Sequence, residues 1–190
     1  MQQLRLALSK SPKGKWGGKR SGAGRPRKDG QSGKGVTHLR RPLLPARFPV
    51  HATWRMAPTV WNLRSRRSWK ALAPAMYGAE RDGFRVVHFA IMGNHIHLMV
   101  EAADEVRLAR GMQGLGVRIA VRMNRMMRAR GRVVGDRYHA RILRTPSEVR
   151  GVRRYLLTNA EKHFGVRGAD PYASQHPVTL PHTWLLRCNC

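Results

Sequence analysis

The chain has 190 residues, enough for one domain with flanking segments and a buried core. Its 37 Lys+Arg against 10 Asp+Glu give a formal net charge of +27, which predicts a polyanionic partner, with nucleic acid ahead of a membrane surface. No apolar run is long enough for a membrane span or a signal peptide, and the terminal Cys188 and Cys190 favour an intracellular protein not built on disulfides.

Residues 1–47 are rich in Lys, Arg, Gly, Ser and Pro, and this composition predicts a basic, disordered tail. Within it, residues 24–28 read GRPRK and resemble an AT-hook core, in which arginines enter a narrow A·T minor groove. Arg25, Arg27 and Lys28 are therefore candidate DNA-binding residues. The alternative is a solubilising basic linker, and both interpretations predict an affinity that falls with salt.

A regular alternation of apolar and polar residues begins at Phe48. The predicted elements are, in chain order, a strand over 49–56, a helix over 62–81, strands over 84–92 and 95–102 joined by a tight turn, a helix over 104–129, a strand over 138–144 and a helix over 146–163. Asp104 is a candidate N-cap, Gly131 a candidate stop, and Thr145 with Glu148 a capping box.

This β-α-β-β-α-β-α order predicts an α+β fold of the ferredoxin-like (RRM-like) type, an antiparallel sheet with helices on one face. The folded domain is expected to span residues 48–165. Residues 166–190 contain three prolines and are expected to form an irregular C-terminal tail.

Two histidines begin the third predicted strand. Because side chains alternate along a strand, His95 and His97 share one face while Ile96 and Leu98 share the other. Two neighbouring imidazoles can hold one divalent cation, and such a site needs a further oxygen ligand. The alternative is a pair of solvated histidines on the polar side of the strand.

The last predicted helix can supply that ligand. Tyr155 and Asn159 are four residues apart and so lie on one helix face, where the Asn159 amide oxygen would complete the metal shell and the Tyr155 hydroxyl would face a bound phosphate. Alternatively, both are ordinary packing and surface residues. On the same helix, Arg150, Arg153 and Arg154 can pair with phosphates or favour the ionised phenol, unless they simply form its solvated face.

These residues resemble a known family. His95-Ile96-His97 with the downstream Tyr155-x-x-x-Asn159 helix is similar to the single-tyrosine HUH transposases, in the subgroup associated with repetitive extragenic palindromes, over roughly residues 48–165. Residues 87–98 and 136–141 carry related motifs. In this chain Asn159 stands where relatives often carry glutamine.

The resemblance implies a ferredoxin-like domain with the catalytic tyrosine on its last helix. It implies metal-dependent cleavage and joining of single-stranded DNA near a hairpin, through a 5′-phosphotyrosine. Tyr155 would then be the nucleophile, and His95, His97 and Asn159 would hold Mg²⁺ or Mn²⁺. The implied partner is single-stranded or hairpin DNA in a bacterial cytoplasm, associated with the nucleoid and with no membrane, and a homodimer is left open.

Two other functions remain open from the sequence. A non-catalytic binder of structured nucleic acid would also explain the charge. A structural zinc protein would combine histidines with Cys188 and Cys190.

Overall fold

The computed structural model describes residues 43–165 and 167–189. The AT-hook-like residues Arg25, Arg27 and Lys28, and also Cys190, lie outside these ranges. The elements are strands β1 (Val50–Arg55), β2 (Phe84–Ile91), β3 (His95–Ala102) and β4 (His139–Ile142), and helices α1 (Arg66–Tyr77), α2 (Glu105–Met127), α3 (Pro146–Phe164) and α4 (Trp184–Arg187). The predicted order is confirmed, and the short α4 is added at its end.

The four strands form one antiparallel sheet in the order β2-β3-β1-β4. The ferredoxin-like fold class is therefore confirmed. The predicted β2–β3 hairpin is present, and the Met92 N–H donates to the His95 carbonyl at 2.9 Å across its turn. The β2–β3 register shifts between Val86 and His88, which marks a bulge in β2.

Helices α1 and α2 pack on one face of the sheet, as predicted, over a core that includes Trp54, Phe84, Phe89 and Leu98. Glycines let α2 approach closely. A Cβ atom at Gly111 would lie 2.1 Å from the Phe84 ring, and one at Gly116 would lie 2.5 Å from the Trp54 ring. These two contacts set how near α2 lies to the strands.

Helix α3 lies on the opposite face, which corrects the expectation that all helices share one face. Val149, Val152 and Leu156 of α3 join a second apolar cluster with Val87 and Met99 of the sheet. Since the second face of β2 and β3 also carries apolar side chains, the apolar stripe of α3 finds its partner there. This placement brings α3 to the face that holds His95 and His97.

Helix boundaries follow their caps. The Asp104 carboxylate accepts from the Arg107 N–H, and the Thr145–Glu148 capping box is present, so both predicted N-termini are confirmed. α1 begins four residues later than expected because the Ser65 hydroxyl caps it. α2 ends at a left-handed Arg128 (φ 53°), ahead of the expected stop at Gly131.

Residues 167–189 lie within the segment that the sequence predicts as an irregular tail, and they pack against the sheet. The Glu101 carboxylate of β3 accepts from both the backbone N–H and the hydroxyl of Thr183, ahead of α4. Leu185 and Leu186 of α4 are buried in the second apolar cluster. No helix in the described ranges combines the length and apolar character that crossing a bilayer requires.

A buried histidine makes the fold sensitive to acid. His88 is 1% exposed, its Nδ1 lies 3.1 Å from the Ser174 hydroxyl, and its Nε2 has no partner among the described residues. Burial, with a smaller contribution from Arg153, lowers the pKa of His88 from 6.5 to about 4. The unfolded chain therefore takes up this proton at a higher pH than the folded chain does.

We expect the free energy of unfolding to fall as the pH drops from 6.5 towards 4, by about 2 to 3 kcal/mol from His88 alone. Urea unfolding at pH 7.0 and at pH 4.5 measures the loss. His88→Asn keeps an amide near Ser174 but cannot titrate. The free energy of unfolding of this variant should therefore fall by about 2 to 3 kcal/mol less between the two pH values. Equal losses in the two proteins would show that His88 is not the group responsible.

Candidate functional site

The histidine pair lies on the face of the sheet that α3 covers. The His95 and His97 ring centroids are 4.8 Å apart with the planes at 85°, and His97 is 5% exposed. The alternating residues Ile96 and Leu98 are buried in the core beneath α1 and α2. The predicted division of β3 into a histidine face and an apolar face is therefore confirmed.

Helix α3 brings Tyr155 to this pair. The Tyr155 hydroxyl lies 3.2 Å from His97 Nε2, and the two rings meet edge-on with centroids 5.0 Å apart. Val152 and Leu156 flank Tyr155 and are buried against the sheet, which fixes its rotation on the helix. Tyr155 itself remains 40% exposed, so this side of the site is open to solvent.

Neighbouring side chains hold both histidine rings in place. Strand β1 pairs Thr53 with His97, and the Thr53 hydroxyl lies 3.1 Å from His97 Nδ1. His51 stacks on His97, with its Nε2 3.3 Å from the same Nδ1. His95 Nδ1 donates to the Asn94 side-chain oxygen at 2.8 Å. Since the Asn94 oxygen can only accept, His95 carries its proton on Nδ1 and keeps a lone pair on Nε2, whereas Nε2 of His97 faces the Tyr155 hydroxyl.

The environment keeps these imidazoles neutral. Burial above all, then the neighbouring His95, His51 and His163, lowers the pKa of His97 to about 3. Burial, with Arg55 and His163, also lowers the pKa of His95. At neutral pH both rings are therefore uncharged, which is the form that binds a metal ion.

Asn159 lies one helical turn beyond Tyr155 and is 2% exposed. Its Nδ2 donates to the Met92 sulfur at 3.3 Å, just before the turn that leads to His95. Its Oδ1 is buried and has no hydrogen-bond partner among the described residues. An unsatisfied buried carbonyl costs about 1–3 kcal/mol, and this oxygen keeps a lone pair that no described residue uses.

The two neighbouring imidazoles could hold a divalent cation. They would leave further positions for oxygen ligands such as an amide, water or phosphate. Across residues 43–165 and 167–189, no cluster of three or more His, Cys, Asp or Glu side chains could hold a metal ion. Cys188 is a free, exposed thiol.

Two arginines of α3, Arg150 and Arg153, make contacts away from the Tyr155 phenol. Arg150 donates to the Asn189 side chain at 2.9 Å, which ties it to the C-terminal segment. Arg153 lies close enough to His88 to lower its pKa, and Arg154 is exposed. The structure thus brings His95, His97 and Tyr155 together, and it places Arg150 and Arg153 elsewhere around the helix.

Three residues near the pair were not assigned to the site from the sequence: His51, Thr53 and His163. Thr53 and His51 lie two positions apart on β1 and so share one face. Only the pairing of β1 with β3 shows that this face lies beside His97. His163 continues the four-residue spacing of Tyr155 and Asn159 along α3, a signal that the sequence does contain.

The fold resembles that of a solved protein. A structure of a REP-associated tyrosine transposase bound to a REP hairpin aligns with a TM-score of 0.58 and 14% sequence identity, over 74% of this chain and 83% of that chain. No protein-family model matches this chain, and no curated protein matches it. At this identity, the likeness establishes that the two proteins share a ferredoxin-like fold.

Proposed function

We propose that this protein cleaves and rejoins single-stranded DNA at hairpin-bearing sites, in a metal-dependent reaction with Tyr155 as the nucleophile. One observation carries the proposal: the phenolic oxygen of Tyr155 lies 3.2 Å from Nε2 of His97, beside His95, although α3 and β3 are distant in sequence. A nucleophile and a neutral imidazole pair thus share one solvent-reachable site.

The chemistry follows from this arrangement. The Tyr155 oxygen attacks a backbone phosphorus and loses its proton to water. An O–P bond forms to the tyrosine, and the bond from phosphorus to the 3′ oxygen breaks, leaving a 3′-hydroxyl. The resulting 5′-phosphotyrosine ester retains the phosphodiester bond energy, so a later hydroxyl can displace the tyrosine without a nucleotide cofactor. α3 supplies the positioning on which the attack depends.

Mg²⁺ or Mn²⁺ would be held by His95, His97 and Asn159. When bound, the ion would neutralise charge that develops on the reacting phosphate. Two observations support this assignment: the Asn159 side-chain oxygen has no hydrogen-bond partner among the described residues, and the pKa values of both histidines are lowered.

The DNA partner is proposed on two grounds. The chain carries a formal net charge of +27, and the protein of similar fold was solved with a REP hairpin bound. The exposed Arg154 would contact phosphates that flank the site, Arg150 and Arg153 would meet DNA only further around α3, and the AT-hook-like residues Arg25, Arg27 and Lys28 would add affinity with little sequence preference. We place the protein with bacterial DNA in the cytoplasm.

The proposal is tested by mixing the full chain with labelled hairpin-bearing single-stranded DNA and resolving the products on a denaturing gel. We expect a covalent adduct with Mn²⁺ or Mg²⁺ and none with excess chelator.

Asn159→Leu should raise the Mn²⁺ concentration for half-maximal adduct by about 10- to 100-fold, because a ligand oxygen is lost. Its melting temperature should not fall, since leucine of similar volume removes an unsatisfied buried carbonyl.

Thr158→Val is the matched control, because Thr158 is exposed and its hydroxyl bonds only to the backbone of α3. It should leave the Mn²⁺ requirement unchanged. Tight binding without any adduct, insensitive to chelator, would instead identify a non-catalytic nucleic-acid binder. Stoichiometric zinc in the purified protein would favour the structural zinc alternative.

A further inference from the structure

A second basic surface lies on the helical side of the sheet. Helices α1 and α2 border a groove of about 710 Å³. Its lining contains five cations and no acidic residue, and we call it the helical groove: Arg67, Lys70, Ala71, Val117, Arg118, Val121, Arg122, Arg125 and Met126. Since α1 and α2 pack opposite α3, the helical groove and Tyr155 lie on different faces of the sheet.

Within the described ranges, no acidic side chain pairs with the cations of the helical groove. None of the five forms an ion pair with a residue in the described part of the chain, whose ion pairs involve Arg64, Arg85, Arg107 and Arg141. Nε and Nη2 of Arg118 are buried and without a hydrogen-bond partner in the same ranges. A guanidinium with two unsatisfied buried N–H groups is costly, and an anion in the groove would offset its charge.

The spacing of the cations matches a phosphate backbone. Arg118, Arg122 and Arg125 follow an i, i+4, i+7 pattern and so form one row on α2. At a rise of about 1.5 Å per residue, this row is about 10 Å long, which is the axial length of about three nucleotide steps of a duplex strand at about 3.4 Å per step. Arg67 and Lys70 of α1 face this row across the groove.

The lining favours duplex over single-stranded DNA. Among the residues that the structure describes, no aromatic side chain lines the helical groove, so these residues offer no platform on which unpaired bases could stack. Its apolar residues are small or aliphatic, with Val117 and Val121 exposed beside the arginines. A duplex, which presents phosphates and sugars and keeps its bases stacked, suits such a surface.

We propose that the helical groove binds the phosphate backbone of duplex DNA, separately from the site at Tyr155. The protein can then hold a double-stranded segment on one face of the sheet and a single strand on the other. This inference depends on the groove and its charges, and it stands whether or not Tyr155 is a nucleophile.

The test measures binding of the full chain to a fluorescent 20-base-pair blunt duplex by anisotropy at several NaCl concentrations. The variant Arg122→Gln/Arg125→Gln removes two exposed groove charges. We expect it to weaken binding by about tenfold at 150 mM NaCl and to reduce the slope of log K against log salt by about 2. The control Arg110→Gln/Arg130→Gln removes two exposed charges outside the groove and should change affinity by less than about twofold.

Three outcomes would overturn the proposal. Equal losses in the two double variants would show that only total charge matters. An equal loss for a (dT)20 strand would assign the groove to single-stranded DNA. Groove-dependent binding of polyglutamate, with duplex binding unchanged, would assign it to an acidic protein segment. At saturating hairpin DNA, the amount of adduct formed by the groove variant depends on Tyr155 and not on the groove. Adduct formation therefore tests the proposed cleavage reaction, and duplex affinity tests the proposed role of the groove, so the two proposals can fail independently.

Discussion

Tyr155→Phe is expected to abolish the covalent protein–DNA adduct, lowering its rate of formation by at least about 10³-fold. The substitution removes only the hydroxyl that lies 3.2 Å from His97 and keeps the ring that packs edge-on against it. The folded state loses one partly buried hydrogen bond, worth about 1 kcal/mol, so the variant should remain folded. The denaturing gel described above measures the adduct.

Tyr77→Phe provides the matched control. Tyr77 is 54% exposed and lies at the end of α1, on the other side of the sheet from the histidines. It should form adduct at the rate of the unmodified protein, and both variants should bind hairpin DNA with unchanged affinity. If Tyr155→Phe became labelled as readily as Tyr77→Phe, another group would be the nucleophile and our assignment would be wrong.

Asp170→Ala is expected to destabilise the protein by about 3–5 kcal/mol, because it leaves a buried guanidinium without its counter-charge. Asp170 accepts two hydrogen bonds of 2.8 Å from Arg64, and the two side chains are 1% and 9% exposed. Arg64 is also held by the Ile91 carbonyl and by the rings of Phe164 and Tyr172, each 4.5 Å away. It therefore cannot easily move to solvent when its partner is lost.

Urea unfolding measures this loss, with Asp82→Ala as the control. Asp82 pairs with Arg107 at 3.1 Å but is 88% exposed, and a surface pair contributes no more than about 1 kcal/mol. A change below about 1 kcal/mol in Asp170→Ala would show that Arg64 does reach water. The expected loss has a consequence for the site, because Arg64 connects the end of β2 with Phe164, the last residue of α3.

The sequence by itself determines where individual strands and helices begin and end. The bounds of β3 follow from alternation and from the Gly93-Asn94 turn, and they match the structure residue for residue. The start of α3 follows from the Thr145 capping box, and that of α2 from the Asp104 cap. These features involve residues within about four positions of one another, so hydrogen bonds and side-chain directions within a single element decide them.

The tertiary structure alone decides what surrounds the histidines. Which face of the sheet α3 covers depends on apolar side chains from β2, β3 and α4, which come together only after folding. The contacts of Thr53 and His51 with His97 depend on the β1–β3 register, and the burial of Asp170 depends on Arg64, 106 positions away.

The sequence by itself thus placed a two-histidine strand and a Tyr-x-x-x-Asn helix correctly as separate elements. The 3.2 Å distance between the Tyr155 hydroxyl and His97 results from packing between residues far apart in the chain. The spacing of residues within one strand or helix contains no information about such packing.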